Sequence, residues 1–171
     1  MRAQACCLYD SRNQSQAIII LDSIAQFTEK NGIQKDPNLI YPIKTDYYLE
    51  IKDIKCAEKL LNEYERKLGG LTESLDSLIY DIAHFYRKGK YYNIVQNPDS
   101  AIRMFTKLLH LLGQRPHYTS QRYGLEEVSY QGLTEAYSLK HQPDSVIKYA
   151  NLYCQWNDSS TRAKSSEHLL R

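Results

Sequence analysis

Apolar residues recur at steps of three and four along most of the chain, and this spacing is its strongest pattern. Between residues 98 and 112 the recurring apolar residues are Ala101, Phe105, Leu108 and Leu112. Residues at this spacing share one face of a helix. Pro98 and Asp99 come just before them. Proline fits the first helical position, and an aspartate there faces the positive end of the helix dipole. The pattern predicts an amphipathic helix that begins at Pro98.

The helix start Pro-Asp-Ser occurs twice, at residues 98–100 and again at 143–145, 45 positions later. Apolar or basic residues follow it at matching positions, with Ile102 matched by Ile147 and Arg103 by Lys148. A repeated helix of this kind is typical of helical repeat proteins. The sequence therefore predicts an all-α fold in which consecutive helices pack as antiparallel hairpins.

The same periodicity predicts eight or nine helices and no strand, since no segment alternates apolar and polar residues between turn signals. Their predicted ranges are a short helix before Ser11, then 14–30, about 41–51, 54 to the stop at Gly69 and Gly70, 71–88, 98–112, about 120–140, 143–157 and 158–171. Pro42 is expected in the first turn of its helix, where proline is tolerated. The segment Gly89–Gln96 is interpreted as a connector, and a separate final helix is expected to begin at Asp158.

Composition and charge narrow the class of protein. With 42% hydrophobic and 25% charged residues in 171 positions, the chain has the composition of a soluble globular protein of one domain, 1–171. Its longest apolar run, Ala17–Leu21, is far short of the roughly 20 residues that span a bilayer. A net charge of +2 does not indicate nucleic-acid binding. We expect a cytoplasmic protein if the chain is complete, or a periplasmic one if it is a fragment of a membrane-bound regulator.

No group of residues indicates catalysis, a cofactor or a metal. Phosphate loops, nucleophile elbows and zinc motifs are missing from the sequence. His84 lies near Asp81, Arg87 and Lys88 and could act as a general base, but a polar stripe on a helix explains the same residues. The spacing of His110, His117 and Cys154 matches no known metal site. We therefore expect no enzyme, no cofactor and no metal ion.

A second spacing suggests a family. Tyrosine precedes a small or apolar residue by nine positions in Tyr48–Ala57 and in Tyr137–Val146. Four and seven positions later come Leu61 and Tyr64 in the first case, and Ala150 and Tyr153 in the second. Leu8 and Ala17 fit the same frame. These segments resemble tetratricopeptide repeats. The resemblance implies a right-handed solenoid of about four hairpin repeats with long loops. The implied units are roughly 1–35, 36–70, 71–115 and 120–158, with a terminal helix 159–171.

The repeats are longer than those of the family they resemble. Residues 17, 57, 101 and 146 are spaced 40, 44 and 45 apart, against about 34 in tetratricopeptide repeats. The excess is expected in loops, where it leaves helix packing intact. In the third unit Tyr86 precedes Ala101 by 15 positions. This gap predicts a six-residue insertion containing Tyr91 and Tyr92, which is either a lid over neighbouring helices or an exposed contact patch.

The resemblance also implies a function. In the family, the first helix of each pair lines a concave face on which proteins or peptides dock. The corresponding residues here are Asp46, Glu50, Tyr80, Asp81, His84, Arg87, Lys88, Gln131 and Glu135, together with Leu49, Ser138 and Leu139. Their charges suit a protein or peptide segment of mixed charge. The alternative is a ligand-sensing or regulatory domain of a larger bacterial signalling protein.

Overall fold

The computed structural model describes residues 14–30, 37–68, 75–114 and 119–169, and over these ranges the chain forms seven α-helices and no strand. The helices are α1 (Gln14–Lys30), α2 (Pro37–Glu50), α3 (Ile54–Leu68), α4 (Leu75–Ile94), α5 (Pro98–Gly113), α6 (Thr119–Leu139) and α7 (Pro143–Leu169). The predicted all-α class is confirmed. The short helix predicted before Ser11 lies outside the described residues. None of the described helices is both long and apolar enough to cross a membrane.

The chain divides into two compact units, one containing α1 to α3 and the other containing α4 to α7. In the first unit, α2 packs against both α1 and α3. Ile18 and Leu21 of α1 are buried, and Ile43 and Tyr47 of α2 pack against them. On the other side of α2, the ring of Tyr41 stacks on that of Tyr64 with centroids 3.9 Å apart.

Pro42 lies inside α2 and not in its first turn as predicted. The helix begins five residues earlier, at Pro37, which takes the favoured first position instead. Pro42 therefore lacks one backbone hydrogen bond in the helix interior, which is normally destabilising. Packing compensates for this loss, because Tyr41 and Leu49 of the same helix are almost completely buried.

In the second unit each helix packs against the next, and α4 also contacts α6. Phe105 of α5 lies at the centre of the core with Ala101, Leu133 and Ala136. The ring occupies the space beside two glycines. A Cβ atom added to Gly89 of α4 would lie 2.6 Å from the ring, and one added to Gly132 of α6 would come closer still. Only glycine at both positions lets α4 and α6 approach Phe105 this closely.

The contact with Phe105 explains why a glycine lies inside α4, at the place where the prediction for this helix was wrong. Gly89 was interpreted as the start of a connector, but α4 continues through it to Ile94. The predicted six-residue insertion does not exist, and Tyr91 and Tyr92 are helical. The break predicted at Asp158 is also wrong, since α7 runs without interruption from Pro143 to Leu169.

The turns that join α2 to α3, α4 to α5 and α6 to α7 have the same conformation. Each contains one residue with a left-handed backbone: Lys52, Gln96 and His141, with φ of 57°, 56° and 54°. In each turn a tyrosine carbonyl accepts a hydrogen bond from the N–H five residues later, at 2.9 Å for Tyr48, 2.9 Å for Tyr92 and 3.1 Å for Tyr137. The next helix starts at once. The nine-residue spacing from tyrosine to the small or apolar residue is thus the five residues of this turn plus the four residues of the first turn of the next helix.

The left-handed residues give a stability prediction. A side chain with a Cβ atom is strained at positive φ, whereas glycine is not. We expect Gln96→Gly to raise the free energy of unfolding by up to about 1 kcal/mol. Urea unfolding followed by the fluorescence of Trp156, the single tryptophan, measures the change. Gln131→Gly in the interior of α6 is the matched control and should lower stability by about 0.5–1 kcal/mol. A loss of stability in Gln96→Gly would contradict the turn geometry.

Stacked aromatic rings join α6 to α7. The Tyr137 and Tyr149 rings are nearly parallel, at 8° with centroids 5.2 Å apart. The Tyr130 ring packs beside Tyr149 and Trp156, with centroids 6.4 Å away in both pairs. Burial is the main cause of a raised pKa of the Tyr137 hydroxyl, and the electrostatic interaction and hydrogen bond with Tyr149 raise this pKa further. Trp156 therefore reports on the packing of the second unit.

Candidate functional site

An open groove of about 540 Å³ lies in the second unit between α4 and α6. Residues from three helices line it: Lys90, Asn93 and Ile94 of α4, Thr134, Glu135, Ser138 and Leu139 of α6, and Val146 of α7. The lining mixes charged, polar and apolar side chains. It is a candidate binding surface because it is concave and presents several kinds of chemical group within a short distance.

The two walls of the groove are built from equivalent positions. Lys90 and Glu135, Asn93 and Ser138, and Ile94 and Leu139 are three pairs separated by 45 residues. The tyrosines of the two hairpin turns, Tyr92 and Tyr137, are also 45 residues apart. The two residues of each pair therefore stand at the same number of positions from the tyrosine of their own turn. The groove is therefore made by the same face of two repeated helices.

Asn93 connects the two walls. Its side-chain Nδ2 donates to the backbone oxygen of Gly132, at 2.9 Å, and to Oε2 of Glu135, at 3.2 Å. Gln131 donates to Oε1 of Glu135 from the preceding turn of α6, at 3.3 Å. The Glu135 carboxylate is thus oriented by two neutral amides. Because neither amide carries a charge, the negative charge of Glu135 is not neutralised.

The groove changes character along its length. Lys90 on one wall makes no ion pair with any residue in the described ranges, and it is not paired with Glu135 across the groove. One helical turn further on, Ile94 and Leu139 take the places of these charges, and Val146 lies beside them. Leu139 is 39% exposed. One end of the groove is therefore dipolar, and the other is apolar and open to solvent.

The structure brings Gln131 and Glu135 together among the predicted site residues, and Glu135 lines the groove. Both are exposed on α6. Asp46 and Glu50 lie on α2 in the other compact unit, where Asp46 is half-buried and Glu50 is exposed. Tyr80 and Asp81 belong to α4, but their side chains lie outside the described part of the chain.

The other three predicted residues of α4 do not line the groove. His84 is 3% exposed and Arg87 is 9% exposed, so neither lies on an open polar stripe. Arg87 donates from Nη1 to the backbone oxygen of Ala83, at 3.2 Å. Lys88 is half-buried, with its Nζ 5.9 Å from the centre of the Tyr92 ring. The prediction counted positions from Tyr86, whereas the residues that line the groove stand six positions further along α4.

Lys90, Asn93 and Ile94 were missed by reasoning from sequence. The signal that identifies them is the distance from Tyr92 to Ala101, which is nine residues, as in Tyr48–Ala57 and Tyr137–Val146. Counting from Tyr92 places Lys90, Asn93 and Ile94 at the positions of Glu135, Ser138 and Leu139. The assumption that Gly89 ends a helix concealed this match.

Comparison with known proteins identifies no relative of this chain. No protein-family model, no curated protein and no solved structure matches this chain. Within the described ranges, no three histidine, cysteine, aspartate or glutamate side chains come together as metal ligands do. The case for a function therefore depends on the geometry of the groove.

Proposed function

We propose that this chain is a tetratricopeptide-like interaction module, and that the groove between α4 and α6 binds a segment of a partner protein. The observation that carries the proposal is the pairing of equivalent residues on the two walls of the groove. Repeated hairpins that stack in register present the same positions side by side, and such a surface suits an elongated ligand. The three turns of identical conformation support the tetratricopeptide-like architecture.

The shape of the groove favours a peptide over a small molecule. Sites for small molecules enclose most of the surface of their ligand. This groove is open along its length, so a small ligand would remain largely in contact with water. A peptide can instead gain many modest contacts along the surface, with apolar side chains as anchors and polar groups fixing its position.

Selection of peptides from a displayed random library, followed by binding measurements with purified protein, tests the proposal. Leu139→Glu places a charge at the apolar end of the groove and should weaken binding of the selected peptides by about tenfold or more. Ile147→Glu is the matched control, because Ile147 is 60% exposed on α7 and does not line the groove. If the selected peptides bind the Leu139→Glu variant as tightly as the parent, the groove is not the binding site.

A further inference from the structure

The chemistry of the two walls specifies the ligand more closely than the proposed function does. Both walls carry a charged residue followed, four positions later, by an apolar one: Lys90 and Ile94 on α4, Glu135 and Leu139 on α6. The charges have opposite sign and are not paired with each other. A ligand that complements the groove must therefore offer an acidic group to one wall and a basic group to the other.

The two walls run in the same direction, so their residues form levels. The turn from Ile94 to Pro98 reverses the chain, and Lys140 at the end of α6 forms an ion pair with Asp99 at the start of α5. The end of α4, the start of α5 and the end of α6 thus lie together. Gly89 and Gly132 both lie against the Phe105 ring, which fixes how the two walls align. Glu135 therefore stands two positions, about 3 Å, further along the groove than Lys90, and Leu139 stands two positions further along than Ile94. The two charged residues form one level, and the two apolar residues form the next.

The distance between these levels matches an extended peptide. Four residues of α-helix rise by about 6 Å. In an extended chain, successive side chains point to opposite sides, and side chains on the same side are about 6.6 Å apart. Alternate side chains of an extended ligand therefore meet the charged residue and then the apolar residue of the same wall. Asn93, which also lines the groove, joins α4 to α6 at this place.

Accepting the proposed function, we infer that the groove selects an extended segment with four consecutive side chains that are acidic, basic, apolar and apolar, in either chain direction. The acidic side chain meets Lys90 and the basic one meets Glu135. The two apolar side chains lie between Ile94, Leu139 and Val146. Charge-assisted hydrogen bonds at one level give specificity, and burial of apolar surface at the next gives affinity.

The test uses end-capped eight-residue peptides with fluorescent labels. One has the central sequence glutamate–lysine–leucine–leucine, a second has the reverse order, and a third and fourth carry lysine in place of the glutamate. Fluorescence polarisation with the full chain measures the affinity of each. We expect the parent protein to bind at least one of the first two peptides, and binding should weaken as salt is added.

Lys90→Glu should weaken binding of that peptide by about tenfold or more and strengthen binding of its lysine-substituted form. Lys55→Glu makes the same change of charge at an exposed position on α3 in the first unit and should leave both affinities unchanged. The inference is overturned if no peptide of either order binds the parent, or if Lys90→Glu binds as the parent does. Leu139→Glu separates the two failures, because a peptide insensitive to Lys90→Glu but lost in Leu139→Glu still occupies the groove.

Discussion

Phe105→Ala is expected to lower the free energy of unfolding by about 3–5 kcal/mol, the range for removing a fully buried phenylalanine side chain. The ring is 1% exposed and is the largest fully buried side chain among the described residues. Its removal leaves a cavity beside Gly89 and Gly132, and glycines have no side chains that could move into it. The midpoint of urea unfolding, followed by the fluorescence of Trp156, measures the loss.

Ile147→Ala is the control for this measurement. It removes an apolar side chain from the same unit at a position that is 60% exposed, so its effect should stay within about 0.5 kcal/mol. An equally small effect of Phe105→Ala would contradict the central position assigned to the ring.

Gly132→Ala should destabilise the second unit by about 1–3 kcal/mol, although alanine is the better helix former. The added methyl group would lie against the tip of the Phe105 ring, and the buried ring has little room to move away. Differential scanning calorimetry or urea unfolding of the variant and the parent gives the difference directly.

Gly124→Ala in the same helix makes the prediction sharper. Nothing lies within 4 Å of a Cβ atom added at Gly124, so only the helix propensity changes. This variant should gain about 0.5–1 kcal/mol. The same substitution in one helix is thus expected to have opposite signs at two positions. A gain of stability in both variants would show that Gly132 and Phe105 do not touch.

Local signals in the sequence were sufficient for much of the fold. Helix α5 begins at Pro98 as predicted, because Asn97 caps it and its apolar residues recur on one face. Helix α1 also has its predicted bounds, Gln14–Lys30. In both helices the residues that determine the structure are neighbours in sequence, so pattern and structure agree.

The failures occurred where distant residues decide the structure. Glycine usually weakens a helix, and the interpretation of Gly89 as a helix end followed that rule. Glycine is required at this helical position because the ring of Phe105, 16 positions away on α5, leaves no room for a Cβ atom. Pro42 is a similar case, since the cost of a proline inside α2 is compensated by packing. Neither contact leaves a periodic trace in the local sequence.

The residues of the candidate site were predicted or missed for the same reason. The predicted residues include Glu135, which lines the groove, because the end of α6 was predicted correctly. Lys90, Asn93 and Ile94 were missed because the end of α4 was not. The bond from Asn93 to Gly132 joins residues 39 positions apart, and only the assembled helices reveal it.

The placement of Phe105 between two glycines has a consequence for how sequences of this kind diverge. None of the three positions accepts a different side chain alone, since a larger residue at 89 or 132 meets the ring and a smaller one at 105 leaves a void. Paired substitutions can be tolerated, such as a smaller aliphatic residue at position 105 together with alanine at position 132. Substitutions at these positions should therefore occur in correlated pairs, and each pair of substitutions alters the distance between α4 and α6. The width of the groove between α4 and α6 should then differ among such sequences in discrete steps and not gradually.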